Sequence, residues 1–411
     1  MNFLQLLKRL TGVSVVTSVI TLAASLWLAK IMIAEDFGMF SYYQSLLMIF
    51  VNIIPFGSGL AVVIYLFSAS GKKYSKIISN SLFFLMPLST VCSFLGLTLF
   101  SCTMDNPLDW QIISLLILNA LFMSICLTGI HFIRTKQAMK RYSIYFGLYT
   151  LAVSLGGIIG YSLFESIKLL YLTTLSALVI LSIFTLYFLH KECHLSLSYP
   201  NKSKTFFRSV KYGLPVVLNS TVMSFMVIGD KIILGGMVEL NVLARYSIAA
   251  LIASTTLFLV NNFATAWGGY LSKEITLLDK CEIIEIYYKH KYKLLLVLPI
   301  GFSIYLIQIF IYKLFYEQNY PDLEEVIFVL TFGYCCLGVS KYFVGYLSCL
   351  GENYLVFYIS IVSCLAMIIT STLIFKGTLL DMGIAVSFSF FIQIILFNSI
   401  TNKVLTTNAN G

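Results

Sequence analysis

The chain has 411 residues, 59% of them hydrophobic and 11% charged, with a mean hydropathy of +0.91. Soluble domains carry about 25% charged residues, so this composition excludes a water-soluble globule and points to a polytopic membrane protein. The formal charge of +9 calls for no nucleic-acid partner, because its distribution along the chain follows membrane orientation.

A helix rising ~1.5 Å per residue needs ~20 apolar residues to cross a ~30 Å hydrocarbon core. On that ruler spans fall at Thr11–Ile33, Tyr42–Phe67, Ile77–Phe100, Ile112–Ile133, Ser143–Phe164, Leu169–Leu189, Gly213–Val238, Tyr246–Tyr270, Leu294–Ile311, Val326–Leu347, Tyr354–Phe375 and Leu379–Asn402. Backbone amides in lipid must bond within their own segment, and no ten-residue alternation argues for a barrel. The predicted fold is therefore an all-α integral membrane protein of about twelve transmembrane helices. The first span follows Lys8 and Arg9. It is too long for a removable signal peptide and lacks a small-residue cleavage site, so it is expected to stay attached.

Orientation follows from the connections. Alternate loops, with Lys8, Arg9 and Lys403, hold roughly 20 basic residues, including Lys72, Lys73, Arg134, Lys140, Arg141, Lys204 and Lys291. The opposite loops hold about five: Lys30, Lys168, Arg245, Lys313 and Lys376. The positive-inside rule then puts both termini in the cytoplasm. The 9 cysteines follow no ligand spacing and read as small apolar packing residues, so neither a disulfide nor a metal site is expected.

The segment His190–Tyr212, rich in serine and lysine, cuts the chain into an N-terminal six-helix half (1–190), a cytoplasmic linker (191–211) and a C-terminal six-helix half (212–411). Each half opens alike. One helix ends near Glu35 and Asp36 and re-enters through Phe37–Leu47, and another ends at Glu239 and re-enters through Val242–Ile252. Aligning Phe40-Ser41 with Tyr246-Ser247 requires a two-residue difference in the turn. Six spans per half would give a parallel repeat enclosing a central cavity.

The run Phe206–Ala253 resembles the start of the second half in bacterial polysaccharide flippases. These are the O-antigen (Wzx-type) transporters of the multidrug/oligosaccharidyl-lipid/polysaccharide exporter superfamily. The matching elements are Gly213-Leu214-Pro215, Asp230-Lys231 and Tyr246-Ser247-Ile248-Ala249, with Glu35–Leu46 and Gly57–Gly59 as first-half counterparts. The resemblance implies a flippase that moves undecaprenyl-pyrophosphate-linked oligosaccharide across a bacterial inner membrane by alternating access. Its partners would be that lipid, the bilayer and other polysaccharide assembly proteins.

Candidate residues follow from the cost of charge in lipid. Asp230 and Lys231 lie deep in the seventh span, where an ionised group facing lipid costs ~2.5–3.5 kcal/mol, so both are expected to face the bundle interior. Neighbours on a helix differ by ~100°. Lys231 would point to the cavity and bind substrate, while Asp230 would couple an ion or pair with another helix; the other reading is a pair that only seals the halves. Lys341, in the tenth span, is either a cavity cation or a lysine snorkelling to the interface. Lys30 and Arg245 stand at span ends that line the cavity in the resembling transporters, and otherwise serve as interfacial anchors. Arg134 and His131 read as anchors. Pro55 with Gly57 and Gly59, Pro87, Pro215 and Pro299 mark bends or ordinary kinks. Gly156, Gly157 and Gly160 fit close helix packing.

No paired carboxylates, His/Cys cluster or phosphate loop appears, so no catalytic residue, cofactor or enzyme activity is expected. Two rivals remain. A cation-coupled drug exporter of the same superfamily would favour acidic cavity groups, and an O-antigen polymerase would need a long periplasmic loop where the connections here are short.

Overall fold

A computed structural model describes residues 3–56, 78–103, 108–135, 139–193, 204–261, 280–291, 294, 297–350 and 352–409. Among them the helices are α1 (Phe3–Ile31), α2 (Ala34–Ile53), α3 (Met86–Cys102), α4 (Trp110–Thr135), α5 (Met139–Phe164), α6 (Ile167–Cys193), α7 (Lys204–Gly235), α8 (Leu240–Ala253), α9 (Lys280–Lys291), α10 (Val297–Phe315), α11 (Glu324–Cys349), α12 (Asn353–Ile374) and α13 (Leu379–Ala409). A single π turn, Ser81–Leu85, leads into α3. Eight described helices are long and apolar enough to span a bilayer, nine if α8 and its bent continuation Thr255–Asn261 are taken as one. Each predicted span overlaps a described helix, residues 57–67 of the second span and 262–270 of the eighth lying outside the described residues; among the described helices α9 alone falls outside the predicted spans. The fold is all-α and transmembrane, with about twelve spans.

Helix ends differ from the hydropathy windows where the turns are tight. Only two residues separate α1 from α2, and Ile33 caps α2 in an extended conformation. Four separate α7 from α8, where Glu239 does the same. Phe37 N–H then bonds Ile33 O and Leu243 N–H bonds Glu239 O, both at 3.0 Å. Ile33 and Glu239 keep the spacing of Ser41 and Ser247, so the two-residue difference lies wholly before the caps. The predicted linker is also partly helical, since α6 runs to Cys193 and α7 begins at Lys204. Pro55 lies just beyond the end of α2, followed by Phe56 at a φ of 44°. Gly57 and Gly59 lie outside the described residues.

Contacts group the chain into two compact units, Val19–Met237 and Met1–Ser18 with Val238–Gly411. In the first, α4 is central and touches α2, α3, α5 and α6. In the second, α11 is central and touches α8, α10, α12 and α13. The packing order of spans two to six is therefore repeated by spans eight to twelve.

Lipid removes the hydrophobic drive between helices, so association relies on close packing and interhelical hydrogen bonds. Gly156 and Gly160 bring α5 onto α6: Thr173 Oγ1 donates to Gly156 O at 2.7 Å, and a Cβ on Gly160 would lie 2.8 Å from Leu170 Cα. Asn119 Nδ2 ties α4 to Tyr171 O at 3.1 Å. In the second unit Gly333 sits against Ser387, whose hydroxyl donates to Val329 O at 2.7 Å. Outward-facing Leu99, Leu163, Phe184 and Leu373 remain exposed to lipid.

Two polar clasps lie at the rims. Asp109, just before α4, accepts from Lys168 of α6 and from Gln111 N–H, which holds its carboxyl below the usual range. The connector α9 is pinned by Tyr342 OH to Tyr287 O (2.8 Å) and by Tyr287 OH to Asn402 Oδ1 (2.9 Å). Lys291 lies 5.4 Å from the Tyr287 ring centroid, and burial there pulls its ammonium below its ordinary range.

Candidate functional site

The seventh span is the most polar of the candidate elements, and its partner is α2. Asn52 Nδ2 donates to Ser224 Oγ at 2.9 Å and to its own helix at Met48 O at 2.8 Å. Toward the other end Gly235 lies against the Tyr42 ring, where a Cβ would meet Tyr42 Cε2 at 2.8 Å. Contacts that climb from Tyr42 to Asn52 on one helix while descending from Gly235 to Ser224 on the other make the pair antiparallel. Glycine is required at 235 because the ring occupies the space of a side chain.

This register places Lys231. Ser224, Lys231 and Gly235 are spaced by seven and four residues, so they share one stripe of α7, the stripe that faces α2. The opposing stripe of α2 carries Ser41, Ser45 and Asn52, with Ser45 Oγ satisfied by Ser41 O at 2.8 Å. Lys231 is half-buried in this polar seam. Asp230 lies ~100° away, on a stripe with Met226 and Leu234, and all three are fully buried. Asp230 Oδ1 accepts the backbone N–H of Lys231 at 2.8 Å, and its charge attracts the neighbouring ammonium. The two groups thus occupy different faces of one helix.

The other predicted residues stand apart. Lys30, in the last turn of α1, is exposed and complements the negative end of the helix dipole. Arg245 belongs to the second unit, where Nη2 donates to Pro321 O at 2.8 Å and Nε is buried without a hydrogen-bond partner. It thereby pins the loop between α10 and α11, a loop also closed by Tyr312 OH on Tyr320 O at 2.7 Å. Lys341 is half-buried in α11, beside Ser340, whose hydroxyl reaches Gln393 Oε1 at 3.3 Å. It lies seventeen residues beyond Glu324, the start of α11, or ~26 Å along the helix, so Arg245 and Lys341 do not form one cluster. His131 accepts from Arg134 at 3.1 Å, a pair within α4. Asp230 and Lys231 touch through the backbone bond above.

Sequence reasoning passed over Asn52 and Ser224. A lone asparagine inside an apolar span was the available signal, since an amide in lipid needs an interhelical partner. What the sequence could not reveal was that α7 would supply it.

The arrangement offers a cation in a polar helix seam, suited to an anionic group, and a buried carboxylate beside it. No curated protein was found to match the chain. Among solved structures the fold is similar to a multidrug resistance MATE-family transporter of the MOP superfamily in an inward-facing conformation, with a TM-score of 0.72, 14% identity and 95% of each chain covered. It is similar to a MOP-superfamily transporter from Pyrococcus furiosus, with a TM-score of 0.70, 15% identity and coverage of 99% and 96%. It is also similar to the lipid II flippase MurJ in an inward closed conformation, with a TM-score of 0.71, 14% identity and coverage of 94% and 86%. The profile of the polysaccharide biosynthesis protein family matches residues 9–274, well over half of the chain. The protein is a multi-pass membrane protein with the MOP-superfamily transporter fold, and it belongs to the polysaccharide biosynthesis protein family.

Proposed function

We propose that this chain is a flippase for undecaprenyl-pyrophosphate-linked oligosaccharide, an O-antigen repeat unit or a similar surface-glycan precursor, in the bacterial inner membrane. The observation that carries the reading is membership of a polysaccharide biosynthesis family on a fold shared with a lipid II flippase. The placement of charge supports it. Roughly 25 of the 27 basic residues lie at loops and span ends; the other two, Lys231 and Lys341, lie inside spans and suit a pyrophosphate. In this reading Lys231 meets the headgroup while the polyprenyl tail stays in lipid, and Lys30, Lys341 and Arg245 are weaker candidates for the same role. Asp230 couples an ion or pairs between helices, and other polysaccharide assembly proteins receive the product. Both termini face the cytoplasm; periplasmic phosphatase activity from a fusion after Lys403 would overturn that topology.

A second reading, a cation-coupled drug exporter, draws on the likeness to a multidrug transporter and on the full burial of Asp230. One experiment separates the two. Removing the protein from its cell is expected to leave undecaprenyl-pyrophosphate-linked repeat units on the cytoplasmic leaflet. Normal surface glycan together with new sensitivity to cationic dyes would replace the flippase with the exporter.

A further inference from the structure

The eighth span breaks at Ser254, where the arms Leu240–Ala253 and Thr255–Asn261 meet at 41°. Neither proline nor glycine is present there. The cause is the run Ser254-Thr255-Thr256. Ser254 Oγ donates to Leu251 O at 2.6 Å and Thr255 Oγ1 to Ile252 O at 3.0 Å, bonds that compete with the helical ladder.

The ladder itself changes register. Leu257 N–H bonds Ser254 O at 2.9 Å, three residues back, instead of Ala253 O, four back. The Ala253 carbonyl is released inside a span, where no water can take the bond. Gln308 of α10 takes it instead. Its Nε2 reaches Ala253 O at 3.3 Å, Thr255 Oγ1 at 2.7 Å and Thr256 Oγ1 at 3.0 Å, while its Oε1 accepts from Thr331 of α11. Gln308, Ala253, Thr256 and Thr331 are all essentially inaccessible to solvent.

We propose that Gln308 is the clasp of a hinge in α8, and that α8 alternates between bent and straight as a step of transport; the second clause rests on the transport reading. The chemistry makes both states self-consistent. In the straight state Leu257 N–H returns to Ala253 O, and Gln308 keeps Thr331. In the bent state the amide replaces the lost ladder bond. Exchanging one carbonyl between two donors leaves the bond count nearly level, the property a two-state element needs. Gln308 is in this sense a positioning residue acting through α8.

The test uses the full chain in lipid nanodiscs, with spin labels at exposed Leu259 and Tyr358. Five residues separate Ser254 from Leu259, an arm of ~7.5 Å whose tip moves ~5 Å when the 41° bend is removed. Gln308→Leu keeps the volume and removes the donor, so the distance distribution is expected to move toward the straight arm. Leu257→Pro gives up the bond to Ser254 O, but its ring would clash with Ala253 O in a straight helix and it has no N–H to return there, so it is expected to hold the bent distance alone. Each variant traps one state, so each is expected to lower glycan export several-fold at wild-type membrane abundance. Identical distributions in all three proteins would overturn the hinge, and shifted distributions with full export in both variants would overturn its part in transport. Hydrogen exchange in the unmodified protein gives a reading free of variants: protection at Ser254–Leu257 equal to that of the flanking turns would also overturn the hinge. A wild-type protein that moves no lipid-linked glycan refutes the proposed function, whereas the distances and exchange still decide the clasp.

Discussion

Replacing Gly160 with alanine tests whether α5 and α6 associate by close backbone approach. The added Cβ would stand 2.8 Å from Leu170 Cα and 2.9 Å from Leu169 O, and it would strike the Thr173 hydroxyl. That hydroxyl can rotate, at the expense of its bonds to Gly156 O (2.7 Å), Leu169 O and Leu170 O (both 2.9 Å). The backbone atoms cannot rotate, and ordinary carbon contacts begin near ~3.5 Å, so the helices must separate by over half an ångström. Overpacking of this kind costs ~1–3 kcal/mol, offset by ~0.5–1 kcal/mol for alanine in a helix interior. The expected net loss is about 0–2.5 kcal/mol. Gly147, on the same helix, has nothing within 4 Å of its virtual Cβ, so Gly147→Ala is expected to be neutral or to gain ~0.5 kcal/mol. Thermal unfolding of the two purified variants in one detergent measures the difference. If Gly160→Ala melts with or above Gly147→Ala, the close approach does not hold these helices together.

Three further outcomes follow from the candidate site. Lys231→Ala is expected to lower surface glycan export, since a charge-assisted phosphate contact is worth ~1.5–3 kcal/mol or roughly 10- to 150-fold, whereas Lys231→Arg keeps charge and donors and retains more export. Unchanged export at normal protein level in Lys231→Ala excludes a binding role, and a parallel loss of protein indicates a structural one. Asp230→Asn is expected to reduce transport while insertion persists; a wild-type rate with unaltered pH and sodium dependence removes Asp230 from coupling. Arg245→Ala deletes the bond to Pro321 O and is expected to cost about 1 kcal/mol of thermal stability, with export falling only as far as protein abundance does. A larger export defect would show that Arg245 acts on substrate as well as on the loop.

The fold was legible wherever the physics is local. Apolar length alone located the spans, because lipid gives a helix no alternative. The triad Gly156, Gly157 and Gly160 marked a helix contact because small residues admit a neighbouring backbone, and Thr173 and Leu170 are found there. Span starts were less legible. The α2 helix begins at Ala34 and α8 at Leu240, ahead of the windows opening at Tyr42 and Tyr246, since Glu35, Asp36, Asn241 and Arg245 depress hydropathy without interrupting a helix. The break in α8 had no proline or glycine to announce it. It requires Ser254-Thr255-Thr256 and a glutamine from another span together, and only packing reveals the second component.

The same division explains why basic residues alike in sequence separate in the structure. Lys231, inside the seventh span, and Arg245, at the start of the eighth, are basic residues fourteen positions apart. A cation in lipid must find an acceptor or a wet surface, but which one depends on the facing element. Arg245 meets a loop carbonyl at 2.8 Å, so part of its donor capacity is already spent within the protein. Lys231 lies on the stripe facing Ser45 and Asn52, whose donors are engaged with Ser41 O, Met48 O and Ser224, and next to the buried carboxylate of Asp230. At Arg245 a pyrophosphate would compete with the Pro321 bond. Under the proposed flippase reading that competition places Arg245 below Lys231 as a candidate headgroup contact, an ordering that hydropathy and spacing do not supply.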